Sequence, residues 1–81
     1  MLLEIISPDK SLYSGEILSI RVPGSKGSFE ILKNHAPIIS TLEKGMISIR
    51  EKNGDRTSIK VDGGVIEAKN NKIIVLAENT K

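Results

Sequence analysis

His35 is the only histidine of the chain and stands in the turn Asn34-His35-Ala36-Pro37. With Asp62 and any of the serines it could complete a Ser–His–Asp set for acyl transfer. No G-x-S-x-G elbow presents a serine for that chemistry, so the spacing selects no nucleophile. The acids Glu30, Asp55, Asp62 and Glu67 do not follow the alternate spacing of a calcium loop. One His and no Cys argue against a structural zinc site. Two glycine-rich stretches, Val22-Pro23-Gly24-Ser25-Lys26-Gly27 and Gly63-Gly64, invite a phosphate-binding reading. Neither leads into a helical pattern, and the Lys-Ser/Thr of a P-loop is missing. The chemically capable residues therefore point away from catalysis. No catalytic residue, metal or cofactor is expected.

Composition narrows the alternatives further. An 81-residue chain makes one domain, expected to span residues 1–81. A domain of that size buries only about 60–65% of its extended surface, so a permanent partner would help it. The absence of cysteine removes disulfides as a substitute for core. Twelve basic and ten acidic residues give a net charge of +2, spread without runs, which gives little support to a nucleic-acid partner. No apolar run approaches the ~20 residues of a membrane helix. Met1-Leu2-Leu3-Glu4-Ile5-Ile6 has an early acid and no basic flank, so it reads as a strand, not a signal peptide. A cytoplasmic protein is the expectation.

The elements that must position these residues are strands. Leu2 to Ile6 is a short β-branched run ended by Ser7-Pro8-Asp9. Lys10 to Tyr13 reads as a separate extended piece closed by Ser14-Gly15. Glu16 to Val22 alternates, with Leu18, Ile20 and Val22 expected on one face and Ile17, Ser19 and Arg21 on the other. Phe29 and Ile31 share the apolar face of a short strand, and Ile38 to Leu42 forms the next. After the turn Glu43-Lys44-Gly45, Met46 to Glu51 sets Ile47 and Ile49 inward. Asn53-Gly54 is the strongest hairpin signal, for which a type I′ turn is expected. Arg56 to Val61 returns, Asp62-Gly63-Gly64 makes a bulge or corner, and Asn70-Asn71 turns between Val65–Ala68 and Lys72–Ala77. That last strand is apolar throughout and is expected to be covered on both faces. Residues 78–81 read as a polar tail. Eight to ten short strands and no capped helical period give an all-β fold, an antiparallel β-sandwich or flattened barrel of about ten strands.

Taken singly, Phe29 reads as a packing residue and His35 as a loop residue whose ring caps nearby backbone. Tyr13 reads as a packed ring with its hydroxyl at the surface. Lys26 and Lys33 read as solvated loop charges. Two loops held close by one short strand suggest a presented surface more than a cleft.

In order along the chain, Ser7-Pro8, Leu12-Tyr13-Ser14-Gly15-Glu16, Val22-Pro23-Gly24-Ser25-Lys26-Gly27-Ser28-Phe29, Ile31-Leu32-Lys33-Asn34-His35-Ala36-Pro37, Leu42-Glu43-Lys44-Gly45, Gly63-Gly64-Val65-Ile66-Glu67 and Val75-Leu76-Ala77-Glu78 form a collinear set. With that set the chain resembles the epsilon subunit of F-type ATP synthases, called delta in mitochondria. The resemblance implies a β-sandwich in the central rotor stalk that binds the gamma subunit and seats on the c-ring, coupling proton transport to ATP synthesis without catalysing it. It implies a peripheral position at the cytoplasmic face of the energy-coupling membrane, with no membrane insertion, small-molecule ligand or nucleic acid. The ring-facing loop would be Ser25, Lys26, Gly27, Ser28 and Phe29, with the turn of Asn34, His35, Ala36 and Pro37 beside it. The gamma-facing surface would include Ser7 and Pro8, and Leu42, Glu43, Lys44, Gly45 and Met46. Many bacterial members continue into a regulatory helical hairpin. The expectation here is a short form with only the N-terminal sandwich and no hairpin. The alternative is a free-standing β-sandwich module for a peptide or an oligonucleotide. With one Phe and one Tyr, the chain lacks the stacking aromatics an oligonucleotide platform needs.

Overall fold

β-branched residues recur along most strands of the protein, and their inward faces meet as one core. The computed structural model describes residues 1–78; the tail expected over 78–81 lies, beyond Glu78, outside the described residues. Eight strands follow in order: β1 Leu2–Ile6, β2 Ser11–Val22, β3 Phe29–Leu32, β4 Ile38–Leu42, β5 Gly45–Glu51, β6 Arg56–Val61, β7 Gly64–Lys69 and β8 Lys72–Ala77. No helix occurs among the described residues. The ladder runs β4-β7-β8-β1-β2-β5-β6, with β3 added to β2. All pairs are antiparallel except β1 with β8, which run parallel.

β2 belongs to two sheets. Its first half, Ser11 to Glu16, pairs with β1. Its second half pairs with β3 on one side and β5 on the other. The polypeptide thus turns the corner of the sandwich within one strand. Ser14-Gly15, expected to end a strand, instead lies inside β2.

A register shift between Ile17 and Ser19 against Glu51 and Arg50 makes Leu18 the extra residue of a bulge. The bulge reverses the expected facing: Ile17 is buried and Leu18 is 47% exposed. Ile20 and Val22 face inward as the alternation indicates. The core comprises mainly Ile and Val from both sheets, including Ile5, Ile20, Val22, Ile47, Val61, Ile66 and Val75. At its margin the Tyr13 hydroxyl donates to the Glu51 carboxylate (3.1 Å), which also accepts from Thr57 (2.6 Å), tying β2, β5 and β6.

The type I′ geometry expected at Asn53-Gly54 is found instead at Asn70-Asn71. Both central residues of Lys69-Asn70-Asn71-Lys72 have positive φ, 52° and 59°, which makes that turn type I′. At the Asn53-Gly54 hairpin only Gly54 is left-handed (φ 94°). Gly54 N–H donates to Glu51 O and Glu51 N–H to Asp55 O, both 2.8 Å, closing the three-residue loop 52–54. Asn53 instead spends its side chain locally, its Oδ1 accepting from Asp55 N–H (2.9 Å). Among the described residues the cover expected on both faces of β8 is complete on only one. Ile73, Val75 and Ala77 are buried, whereas Ile74 is half-buried and Leu76 is 50% exposed.

Two outcomes follow from these contacts. Gly64 has φ 147°, and a Cβ there would strike the Leu76 carbonyl oxygen and the backbone of β8. Gly64→Ala should cost about 3 kcal/mol or more in urea unfolding, whereas Gly54→Ala, which opens onto free space, should cost about 1 kcal/mol. The Tyr13 phenol is held above its ordinary pKa by burial first, then by its hydrogen bond to Glu51 and the Glu51 charge. The folded state therefore favours the protonated phenol. That stabilisation is present below the unfolded phenol pKa of about 10 and is lost as pH rises through the higher folded value. Tyr13→Phe should flatten the alkaline fall of stability, read from Tm against pH.

Candidate interaction surfaces

The register places strand ends at two opposite ends of the first sheet. One end carries Leu42, Gly64, Ala77 and, after Ile6, Ser7-Pro8. The other carries Ile38, Ala68, Ile73 and Leu2. Each candidate residue can be located against this frame.

Ser25 to Phe29 belong to the first end. Gly24 bridges Leu42, Ser25 N–H donates to Thr41 O (3.0 Å), and the Thr41 hydroxyl donates to Ser25 Oγ (2.9 Å). Gly24 is buried beneath the Phe29 ring, where a Cβ would lie 2.7 Å from Phe29 Cε1. Phe29 packs half-buried against the core, while Ser25, Lys26, Gly27 and Ser28 are exposed.

Asn34, His35 and Ala36 stand at the other end of β3. Asn34 has φ 65°, and its N–H donates to Asn71 Oδ1 (2.7 Å). Asn71 Nδ2 donates back to Asn34 Oδ1 (3.0 Å). The loop is thus pinned to the β7–β8 turn. The His35 ring turns to its own loop, Nδ1 lying 2.6 Å from Ala36 O, which suits the tautomer with the proton on Nδ1. Pro37 is exposed and leads into β4. No hydrogen bond joins the two loops among the described residues. The loops close the two ends of one rim formed by β3, the 33–37 connection, β4 and the Gly24 bridge. A groove lies within this rim, between the loop 25–29 and residues 38–41.

Ser7 and Pro8 follow β1 beside the Leu76–Ala77 end of β8. Leu42 is buried and anchors its corner, Glu43 and Lys44 are exposed, half-buried Gly45 packs on Pro23, and Met46 is 50% exposed. Glu43 N–H donates to Pro23 O (2.9 Å), so this corner abuts the Ser25 loop. Asp62 lies at the β6–β7 corner, next to Gly63, whose carbonyl accepts from Glu78 N–H, and thus at the end opposite His35. The fold does not assemble a His35–Asp62 pair.

One surface escaped the motif reading. On the outer face of the first sheet, Ile39 (71% exposed), Val65 (38%) and Leu76 line a shallow depression with Ile74 and Glu67. β7 and β8 place Val65 directly opposite Leu76, and Glu67 opposite Ile74. The signal was present in Lys72–Ala77, whose second face is as apolar as its first. Burying a leucine-sized side chain is worth about 1.5–3 kcal/mol, so four partly exposed ones offer on the order of 5 kcal/mol to a partner. A contiguous exposed apolar face of this kind is a candidate for a partner's surface.

The Asn34–Asn71 pair gives a local test. Asn71→Gly keeps the left-handed backbone and deletes both side-chain bonds. It should speed amide exchange at Asn34 while costing about 1 kcal/mol of stability; unchanged exchange there would show that the pair does not hold the loop.

Comparison with known proteins is consistent across sequence and structure. The family model for the ATP synthase delta/epsilon chain, beta-sandwich domain, matches residues 1–81. A protein of Leptospira borgpetersenii named ATP synthase epsilon chain is 47% identical over 76 residues, covering 93% of this chain and 58% of that protein. One of Chlorobium limicola with the same name is 36% identical over 77 residues, covering 95% and 88%. The chain thus spans little more than half the length of the Leptospira relative. Among solved structures, a chain of the Euglena gracilis mitochondrial ATP synthase (OSCP/F1/c-ring) superposes with TM-score 0.86 at 14% identity, covering 93% of this chain and 48% of that one. A chain of the Tetrahymena thermophila mitochondrial ATP synthase central stalk and c-ring gives 0.81 at 16%, covering 96% and 63%. At those identities the superpositions speak for the fold.

Proposed function

The chain belongs to the ATP synthase delta/epsilon β-sandwich family, and from that premise we propose that residues 1–81 act as one non-catalytic domain of the central stalk, held between the gamma subunit and the c-ring. Family membership supports the assembly, and the exposed apolar face of β4, β7 and β8 is the observation that carries the mode of action. An 81-residue sandwich that leaves Ile39, Val65 and Leu76 in water gains by covering them. In this reading that face lies against the gamma subunit, with Ser7-Pro8 at its margin and the Leu42–Met46 corner at its end. The β3–β4 rim, with Lys26 at one end and His35 at the other, meets the polar loops of the c-ring.

The coupling is mechanical. Torque passes between ring and shaft without slip only if the contact is broad and the body between them is stiff. The sandwich supplies stiffness through a continuous ladder from β4 to β6. No helix among the described residues is long and apolar enough to cross a membrane. In this reading the domain sits peripherally, at the cytoplasmic face.

Two variants test the two surfaces with purified partners. Leu76→Lys should keep stability within about 0.5 kcal/mol and weaken gamma binding about tenfold or more. Lys26→Glu should weaken ring association about three- to fivefold at low salt, with the difference vanishing at high salt. Unchanged gamma binding by Leu76→Lys would remove the apolar face from the interface. A salt-independent effect of Lys26→Glu would remove the charge contact.

A further inference from the structure

The free edge of β4 carries a hydrogen-bond pattern that its own fold leaves unfinished. The Gly24–Leu42 bridge is closed by Ser25 N–H donating to Thr41 O and by Glu43 N–H donating to Pro23 O, so these groups of β4 and its end point away from β7. Backbone groups keep one side at every second residue of a strand. Thr41 N–H, and both N–H and C=O of Ile39, therefore face the same open side. Among the described residues none of these three groups has a partner there. A groove of about 570 Å³ runs along this edge, walled on its far side by the loop 25–29.

We propose that β4 takes up an extended, acidic segment of another polypeptide as an added strand seated in this groove. The donors and acceptors stand at strand spacing, so an extended chain satisfies them and a helix does not. Pro23 to Ser25 have already begun the added strand at one end. Lys26 is the charged side chain of the groove wall, which selects an acidic segment. Phe29 and Ile38, packed half-buried against the core, and Ile39 on the outer face offer apolar contact to the two faces of the incoming strand. The inference rests on the reading of this rim as an interface and adds how a partner is held there.

The test is amide exchange by NMR on the whole chain, with a short end-blocked peptide of alternating Val and Glu as probe. The acidic peptide should protect the Ile39 and Thr41 amides. The same peptide with Lys for Glu should bind more weakly. Lys26→Glu should reduce affinity for the acidic peptide about three- to fivefold. A backbone N-methylated version of the peptide should protect nothing, a control that leaves the protein untouched. Absence of protection at millimolar acidic peptide would overturn the proposal. So would protection that follows protein concentration without peptide, since that assigns the edge to a second copy. If the c-ring binds in a salt-sensitive way while no peptide protects β4, strand addition fails and the rotor reading stands. If the peptide protects β4 while neither ring nor gamma binds, the rotor reading fails alone.

Discussion

The passage of β2 from one sheet to the other is the constraint on which the rest depends. One twelve-residue strand pairs with β1, then with β3 and β5, and so fixes the angle and spacing of both layers. The bulge at Leu18 lets it turn the corner while Ile17, Ile20 and Val22 stay in the core. Because β3 hangs only on the second half of β2, the same corner sets where the rim begins. Val22 pairs with Phe29, and the connection between them is the exposed loop that carries Lys26.

That architecture uses its apolar residues unevenly. Among the described residues fifteen buried hydrophobic residues fill the space between the layers, and others remain outside. Ile39 and Leu76 lie across an outer face that no element of the described residues covers. In a small domain this is costly by itself, because every exposed apolar side chain is one the core does not use. The cost is removed if another subunit completes the layer. The stiffness of the continuous ladder and the unfilled outer face then serve one purpose, a rigid body that is stable in company.

Most strands were legible because their facing depends on short-range alternation. Ile47 and Ile49 fell inward, and so did Ile20 and Val22, as period two requires. The misreadings each came from a choice that sequence leaves degenerate. Glu16–Val22 alternates in either phase, and only pairing with Arg50 and Glu51 decides that Leu18 is the extra residue. Asn-Gly can close a two- or a three-residue hairpin, and here the Glu51–Asp55 and Gly54–Glu51 bonds select the longer. Asn70-Asn71 took the type I′ geometry because asparagine tolerates left-handed backbone. β8 is apolar on both faces whether its second cover comes from the same chain or from another, so its exposed face could be found only in three dimensions. Of the site, the motif loops could be read, but not that Asn34–Ala36 and Ser25–Phe29 close opposite ends of one rim, since this depends on the Asn34–Asn71 and Gly24–Leu42 contacts.

The most direct measurement is recovery of the tagged chain from its native membranes, with the bound proteins identified by mass. The account expects the gamma subunit and the c subunit to return with it in constant proportion. Recovery of neither, from membranes shown to contain assembled synthase, would contradict a place in the rotor.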